Sequence, residues 1–385
     1  MIKIELDYLF RPGKIGNVQI KNKIVRSATY ERRAMKYGIV SEKLIEIYRE
    51  LAKGGTGLII TGAIGIDPKA TGGPDQPYLF DDSHMEGQRK LVKEVHNYSD
   101  TKIAAQFVHT GRQGTHPKYP SVAPSAVEDK STKQTPRELT TEEIEQIVKN
   151  FVAATRRAYE CEYDMVQMHG AHGYLLSNFI SPYTNIRTDE YGGSTQKRAK
   201  ILVDIYNHTK DEVGKNFPII IKLQIDDDIP RGLKLEEGIE LAKIMVKTGY
   251  DAIEPSGGIG EAITLNKNPL PSRFVKSPED ENYFLESAKR LKPIMKDCPL
   301  ILVGGIRNPL SAEKILQGKH ADFVSLSRPL IYEPDLPNRW KSGDSSPAKC
   351  VSCNSCFMTM MTGEVYCVVK KKLEKKRLKK EKRGK

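Results

Sequence analysis

No stretch of this 385-residue sequence approaches the about 18 consecutive apolar residues that a membrane-spanning helix needs. The opening residues, MIKIELDYLF, carry no basic segment leading into an apolar core, so no secretory leader is expected and the cytoplasm is the expected compartment. There is also no G-x-G-x-x-G turn after the first strand-like run, where RSATYE stands instead. That removes the mark of an open dinucleotide-binding sheet. Aromatic side chains stop at Tyr366, so the basic residues beyond it have nothing on which to stack a base.

Hydrophobic residues make up 38% and charged ones 29%, a balance that excludes both a disordered chain and a membrane-embedded one. The length allows two or three domains, although barrels of this size often form one. The net charge of +12 is unevenly placed. Lys370 to Lys385 hold eleven Lys or Arg and two Glu, which leaves only +3 for residues 1–369. So dense a run reads as a solvated, partly helical or disordered tail, and specific nucleic-acid binding is not expected. Cysteine is lopsided as well. Cys161 and Cys298 stand alone and read as small buried residues, whereas Cys350, Cys353, Cys356 and Cys367 crowd together. Without a secretory leader such a cluster suggests metal or redox chemistry before disulfides.

Eight strand-like runs recur, at 23–28, 57–61, 102–108, 165–168, 218–223, 251–254, 300–303 and 322–326. Helical patterns alternate with them, at 41–53, 83–98, 144–159, 195–213, 235–247, 281–295 and 311–317. Thr140 and Thr141 with Glu143 and Glu145 resemble a capping start for the third helix. Eight buried strands in alternation with helices predict an α/β fold with a parallel sheet closed into a single-domain (β/α)8 TIM barrel. The barrel is expected over 1–341, followed by a short Cys-rich extension (342–369) and a basic tail (370–385).

In such a barrel the chemistry collects at the carboxyl ends of the strands. Polar residues stand at those ends here: Ser27 and Thr29, Thr61 and Gly62, Gln106 and His109, His169 and His172, Lys222 and Gln224, then Ser256 with Gly257 and Gly258. Gly304 and Gly305 follow the seventh run, Ser327 and Arg328 the eighth. Small residues with free backbone N–H groups there, plus an arginine, form a phosphate-site pattern. Lys222 inside an apolar run needs an anionic or electron-rich partner, either a cofactor or a structural carboxylate. His169 and His172 suit a zinc site with an added carboxylate, as in barrel hydrolases, as well as they suit hydrogen-bond donation.

The stretch HGAHGYLLSNFISPYTNIRTDEYGGS, with NKIVRSAT, AAQFVHTGRQG and LILVGGI…DFVSLSRPL, resembles the old yellow enzyme family of FMN-dependent NAD(P)H oxidoreductases. The likeness runs from about Leu9 to Trp340. It implies that Ser27, Ala28 and Thr29 pass beside the flavin ring, with Gly62 and Ala63 at its edge and Gln106 at its pyrimidine end. Lys222 takes the place of the basic residue that stabilises the reduced flavin, and Gly304, Gly305, Ser327 and Arg328 hold the phosphate. His169 and His172 match the pair that donates to a substrate oxygen. Tyr174 matches the tyrosine that delivers a proton, a residue whose other reading is packing at a helix start. Hydride then reaches the β-carbon of an α,β-unsaturated carbonyl or enoyl-type substrate, with NAD(P)H as the donor. An amine or aromatic-ether dehydrogenase would use the same flavin. Arg187 and Asp189 read as partners that fix the loop. SATY departs from the Pro, Met, Cys or Thr often found beside the flavin, which puts Tyr30 in the position that tunes it.

The cluster CVSCNSCFMTMMTGEVYC resembles the iron–sulfur segment of the 2,4-dienoyl-CoA reductase branch, with C-x2-C-x2-C-x10-C in place of C-x2-C-x3-C-x11-C. The resemblance implies a [4Fe–4S] centre on Cys350, Cys353, Cys356 and Cys367, while four thiolates also make a full zinc set and unligated cysteines are the third reading. Long members of that branch continue into a second nucleotide-binding region. Such a region is not expected here, so the electron donor docks at the barrel or is a separate electron-transfer protein.

Overall fold

The computed structural model describes residues 6–73, 75–98, 100–266 and 272–383. Gly384 and Lys385 of the expected basic tail lie outside the described residues, as do the first five residues of the expected barrel.

Eight parallel strands form the barrel: β1 Ile24–Arg26, β2 Leu58–Ile60, β3 Lys102–Val108, β4 Met165–Gly170, β5 Ile219–Asp226, β6 Ala252–Gly257, β7 Ile301–Val303 and β8 Phe323–Leu326. Their order is β6-β5-β4-β3-β2-β1-β8-β7. A single bridge between Ile253 and Leu300 brings β6 to β7 and nearly closes the ring. These are the eight runs expected from sequence. Strands buried on both faces carry apolar residues without alternation, which is why they are legible.

The two faces separate cleanly. Val25, Leu58, Ile60, Ala104, Met165, Ile220, Ala252, Ile301 and Phe323 fill the interior, joined by Ile15 and Ile20 of an antiparallel hairpin, Gly13–Ile15 with Val18–Ile20. Ile24, Ile59, Ile103, Val166, Ile221, Ile253, Leu302 and Val324 face the helices. The apolar plug takes part of the interior, and polar side chains take the rest.

The outer ring contains α1 Glu42–Lys53, α2 Met85–His96, α3 Thr141–Glu160, α4 Lys200–Val213, α5 Leu235–Thr248, α6 Leu285–Leu291 and α7 Pro309–Gln317. Thr140 and Glu143 make the reciprocal capping box at α3. The expected helix over 281–295 is shorter than the pattern suggested. Leu285–Leu291 is helical, and Pro293 then sits in a 3-10 turn, since a proline has no N–H to continue the ladder. The long segment after β3 is anchored by Arg112, a fully buried guanidinium 2.7 Å from Glu261 and 3.5 Å from Asp129. Arg187 binds Asp189 and the carbonyls of Pro124 and Leu139, in line with a loop-fixing role.

Beyond the barrel come α8 Arg328–Tyr332, α9 Leu336–Lys341, α10 Ser355–Thr362 and α11 Val368–Arg383. The cysteine segment lies against the carboxyl ends of β1, β7 and β8. Ala348 N donates to Arg307 O (2.8 Å), Arg307 Nη1 to Cys350 O (3.2 Å), and Val365 N to Glu31 O (3.1 Å). Among the described residues no helix is long and apolar enough to cross a membrane.

Candidate active site

β4 ends at His169 and Gly170, and the chain turns sharply through His172 (φ 67°) and Gly173 (φ 80°). Glycine suits the second position because its φ lies in the left-handed region that residues with side chains rarely adopt, and a Cβ there would also displace Gln113 Nε2, 2.5 Å away. Gln113 Nε2 donates to His172 O (2.8 Å) and Gln224 Oε1 accepts from His172 N (2.9 Å), so the strained turn is held from both sides. The His169 ring then stands 5.1 Å from that of His172 and 4.9 Å from that of Tyr174.

Burial sets the protonation of all three. His169 is pushed down to about 3, by burial first and by the Lys222 charge second. His172 falls well below its ordinary value through burial, His169 and Lys222. Burial raises the Tyr174 phenol, so it keeps its proton. At neutral pH the trio is two neutral imidazoles and a phenol. His172 Nε2 lies 2.6 Å from Ser256 Oγ, whereas His169 Nδ1 is buried without any hydrogen-bond partner. An orphaned ring nitrogen in so dry a place points to a missing ligand.

Below the pair lies a polar band contributed by six strands or strand ends. Lys222 Nζ is 2.7 Å from Glu254 Oε2 and 3.3 Å from Ser27 Oγ. Glu254 also accepts from Ser27 Oγ (2.8 Å), Ser325 Oγ (2.9 Å) and Gln167 Nε2 (2.9 Å), and Gln167 Oε1 accepts from Gln106 Nε2 (2.7 Å). Parallel register explains the meeting, since Lys222 sits opposite His169 on one side and Glu254 on the other. Burial alone would raise the Glu254 carboxyl, but Lys222 and the hydrogen bonds from Gln167 and Ser27 more than offset it and hold it below its usual value. The pair is charged inside the barrel.

Sequence reasoning placed Lys222 and Gln106 but missed Glu254, Gln167 and Ser325. Their signal was there: each is a polar residue inside a strand that is otherwise apolar and fully buried.

The other expected residues ring this band. Thr29 Oγ1 and Ser327 Oγ are 2.8 Å apart, and Ala28 packs on the interior cluster. Gly62 N donates to Tyr48 Oη (2.8 Å), and a Cβ on Gly62 would lie 2.4 Å from Glu31 Oε2. Gln76 Nε2 donates to Ala63 O (3.1 Å). Gly304 and Gly305 lie against the Tyr283 ring. Tyr30 Oη donates to Asp75 (2.9 Å), which also binds Arg32, so the hydroxyl is committed to a carboxylate. Arg328 Nη1 binds Asn354 Oδ1 (2.5 Å), Ser352 O (3.3 Å) and Arg273 O (3.0 Å), and this ties the eighth-strand loop to the cysteine segment.

Cys350, Cys353, Cys356 and Cys367 line one small cavity together with Arg328, and all four are free thiols. Burial, then Cys350, pushes the Cys356 thiol up to about 11. Burial would raise Cys353 as well, but hydrogen bonding with Ser355 and the backbone and the nearby Arg328 charge together bring it below its ordinary value. Among the described residues, no three His, Cys, Asp or Glu side chains form a single-ion site, and this holds for the His169 and His172 pair too.

The chain is similar to the NADH oxidase of Thermoanaerobacter brockii, at 39% identity over 352 residues, covering 90% of this chain and 52% of that protein. It is 33% identical over 330 residues to the NADPH dehydrogenase of Clostridium acetobutylicum, covering 85% and 92%. The chain spans about half the length of the first curated relatives it matches. Among solved structures, 2-naphthoyl-CoA reductase in complex with 2-naphthoyl-CoA superposes with a TM-score of 0.84 at 28% identity, covering 91% of this chain and 54% of that one. The old yellow enzyme homologue from Zymomonas mobilis gives 0.73 at 26%, covering 87% and 93%. With residues 8–346 matching its family model, this FMN-dependent barrel enzyme belongs to the NADH:flavin oxidoreductase / NADH oxidase family.

Proposed function

We propose that the chain takes hydride equivalents from NAD(P)H and delivers them to the β-carbon of an activated C=C bond, in a cytoplasmic setting. The observation that carries this reading is His169 Nδ1, buried and unpartnered beside His172 and Tyr174. FMN, when bound, supplies the hydride. His169 and His172 hold the substrate's carbonyl oxygen by hydrogen bonds and, being neutral, stabilise the negative charge that gathers there without giving up a proton. Tyr174 provides the proton for the α-carbon. Ser27, Ala28, Thr29, Gly62, Ala63 and Gln106 hold the ring, and Lys222 supplies positive charge at its pyrimidine end. Gly304, Gly305, Ser327 and Arg328 take the phosphate. Tyr283 covers the glycine pair and Arg328 is bonded to Asn354, so both side chains must yield space to it.

The cysteines, on this reading, ligate one [4Fe–4S] cluster. Zinc would draw sulfur to about 2.3 Å from a single point. Four thiols on one cavity supply the full donor set of a [4Fe–4S] cluster, and an iron assay separates that from zinc. Anaerobic purification followed by extraction of the flavin tests the proposal. It expects non-covalent FMN, bleached by NADH or NADPH and restored by an enone. Extracted FAD, or a bleached flavin that no enone restores, would overturn it.

A further inference from the structure

The reaction above leaves one strongly charged element without a role. Helix α11 begins directly after Cys367, and its side chains are exposed from Lys371 to Lys382. It carries ten Lys or Arg against Glu374 and Glu381. Among the described residues its one ion pair is Arg377 with Glu381, at 3.5 Å. Like charges this dense repel one another, so the helix is maintained at a cost that its own contacts do not return. Beside it, the segment that carries the thiols exposes apolar side chains: Val351 at 54%, Met358 at 64% and Met361 at 66%, with Cys353 itself exposed.

We infer that α11 and the apolar rim around Cys353 form the docking surface for an acidic one-electron carrier protein. This rests on the reading of the cysteines as a redox centre and adds the place and charge of its partner. Three features that such a carrier needs coincide here: a redox group within reach of the surface, a few apolar side chains to desolvate, and a field of one sign to steer the approach. Each docking event moves one electron from the reduced carrier to the group held by the thiols. Two events supply the electron pair of one hydride equivalent, with the proton drawn from solvent.

Other occupants fit less well. Val368 and Val369 at the helix start are half-buried, and its exposed part has two apolar residues, Leu373 and Leu378, about 140° apart around the axis. They make no stripe that a lipid surface could take up. A nucleic acid would find no free ring, because the last aromatic, Tyr366, is covered by Lys371 at 4.1 Å.

The test uses the full chain, purified anaerobically, with reduced flavodoxin as the acidic probe. Its Kd and its rate of oxidation are measured between about 20 and 200 mM salt, where screening shortens the reach of surface charge. The surface predicts that binding weakens about tenfold or more across that range. The fourfold variant Lys372→Glu, Lys375→Glu, Lys376→Glu, Lys379→Glu should show the same loss at low salt, and Met358→Asp with Met361→Asp a loss at every salt concentration. Flavin reduction by NAD(P)H stays unchanged in both. Equal affinity in the parent and the fourfold variant overturns the proposal, as does tighter binding of phosphatidylserine vesicles or single-stranded RNA. Iron is assayed on the same preparation. Salt-sensitive docking without iron sinks the cluster reading alone, and iron with charge-blind binding sinks the docking surface alone.

Discussion

His169 shows how one residue is tuned by its surroundings. Its folded value of about 3 lies below the ordinary 6.5, so the unfolded chain takes up a proton that the folded chain refuses. That part of the stability is complete above pH 6.5 and is lost as the pH falls towards 3. Between pH 7 and pH 5 the loss is about 2 kcal/mol. His169→Asn removes the titration, so urea midpoints of parent and variant should converge by that amount on acidification; parallel midpoints would contradict the assigned burial. Lys222 and Glu254 make the complementary case. Removing one member of a buried pair costs about 3–5 kcal/mol, because the other is left charged in a dry interior. Their meeting was only half legible. The sequence shows a lysine that needs an anion, but Glu254 is 32 residues away and becomes its neighbour only through the register of β5 with β6.

At the scale of elements, the eight strands were legible because parallel, doubly buried strands are apolar throughout, and α3 because its capping box lies within four consecutive residues. The junction of barrel and extension was not. Arg328 reads from sequence as a phosphate ligand, and Asn354 as part of a cysteine loop. Their hydrogen bond depends on how the extension lies across the eighth-strand loop. That contact makes the extension part of the site's frame. If the four thiols hold a cluster, anaerobically purified protein carries about four irons per chain and Cys353→Ser loses them. Because Cys353 is the exposed thiol of the set, the substitution should leave the fold and the flavin in place. Zinc at about one per chain, or no metal at all, would refute the cluster and leave the barrel untouched.

For the whole molecule, the arrangement separates three tasks. An apolar plug closes the amino-terminal end, a buried polar band crosses the middle, and the carboxyl end carries both the imidazole pair and the cysteine segment. The charge follows the same division, nearly balanced over the barrel and concentrated in α11. The central claim is that this architecture stabilises negative charge on a substrate oxygen through His169 and His172. The direct measurement is anaerobic stopped-flow of the two half-reactions in His169→Ala and His172→Ala. Reduction of the flavin by NAD(P)H should stay near the parent rate, and its reoxidation by an enone should slow about 10²–10³-fold, the cost of losing one oxyanion donor. Reoxidation at the parent rate in both variants would contradict the account.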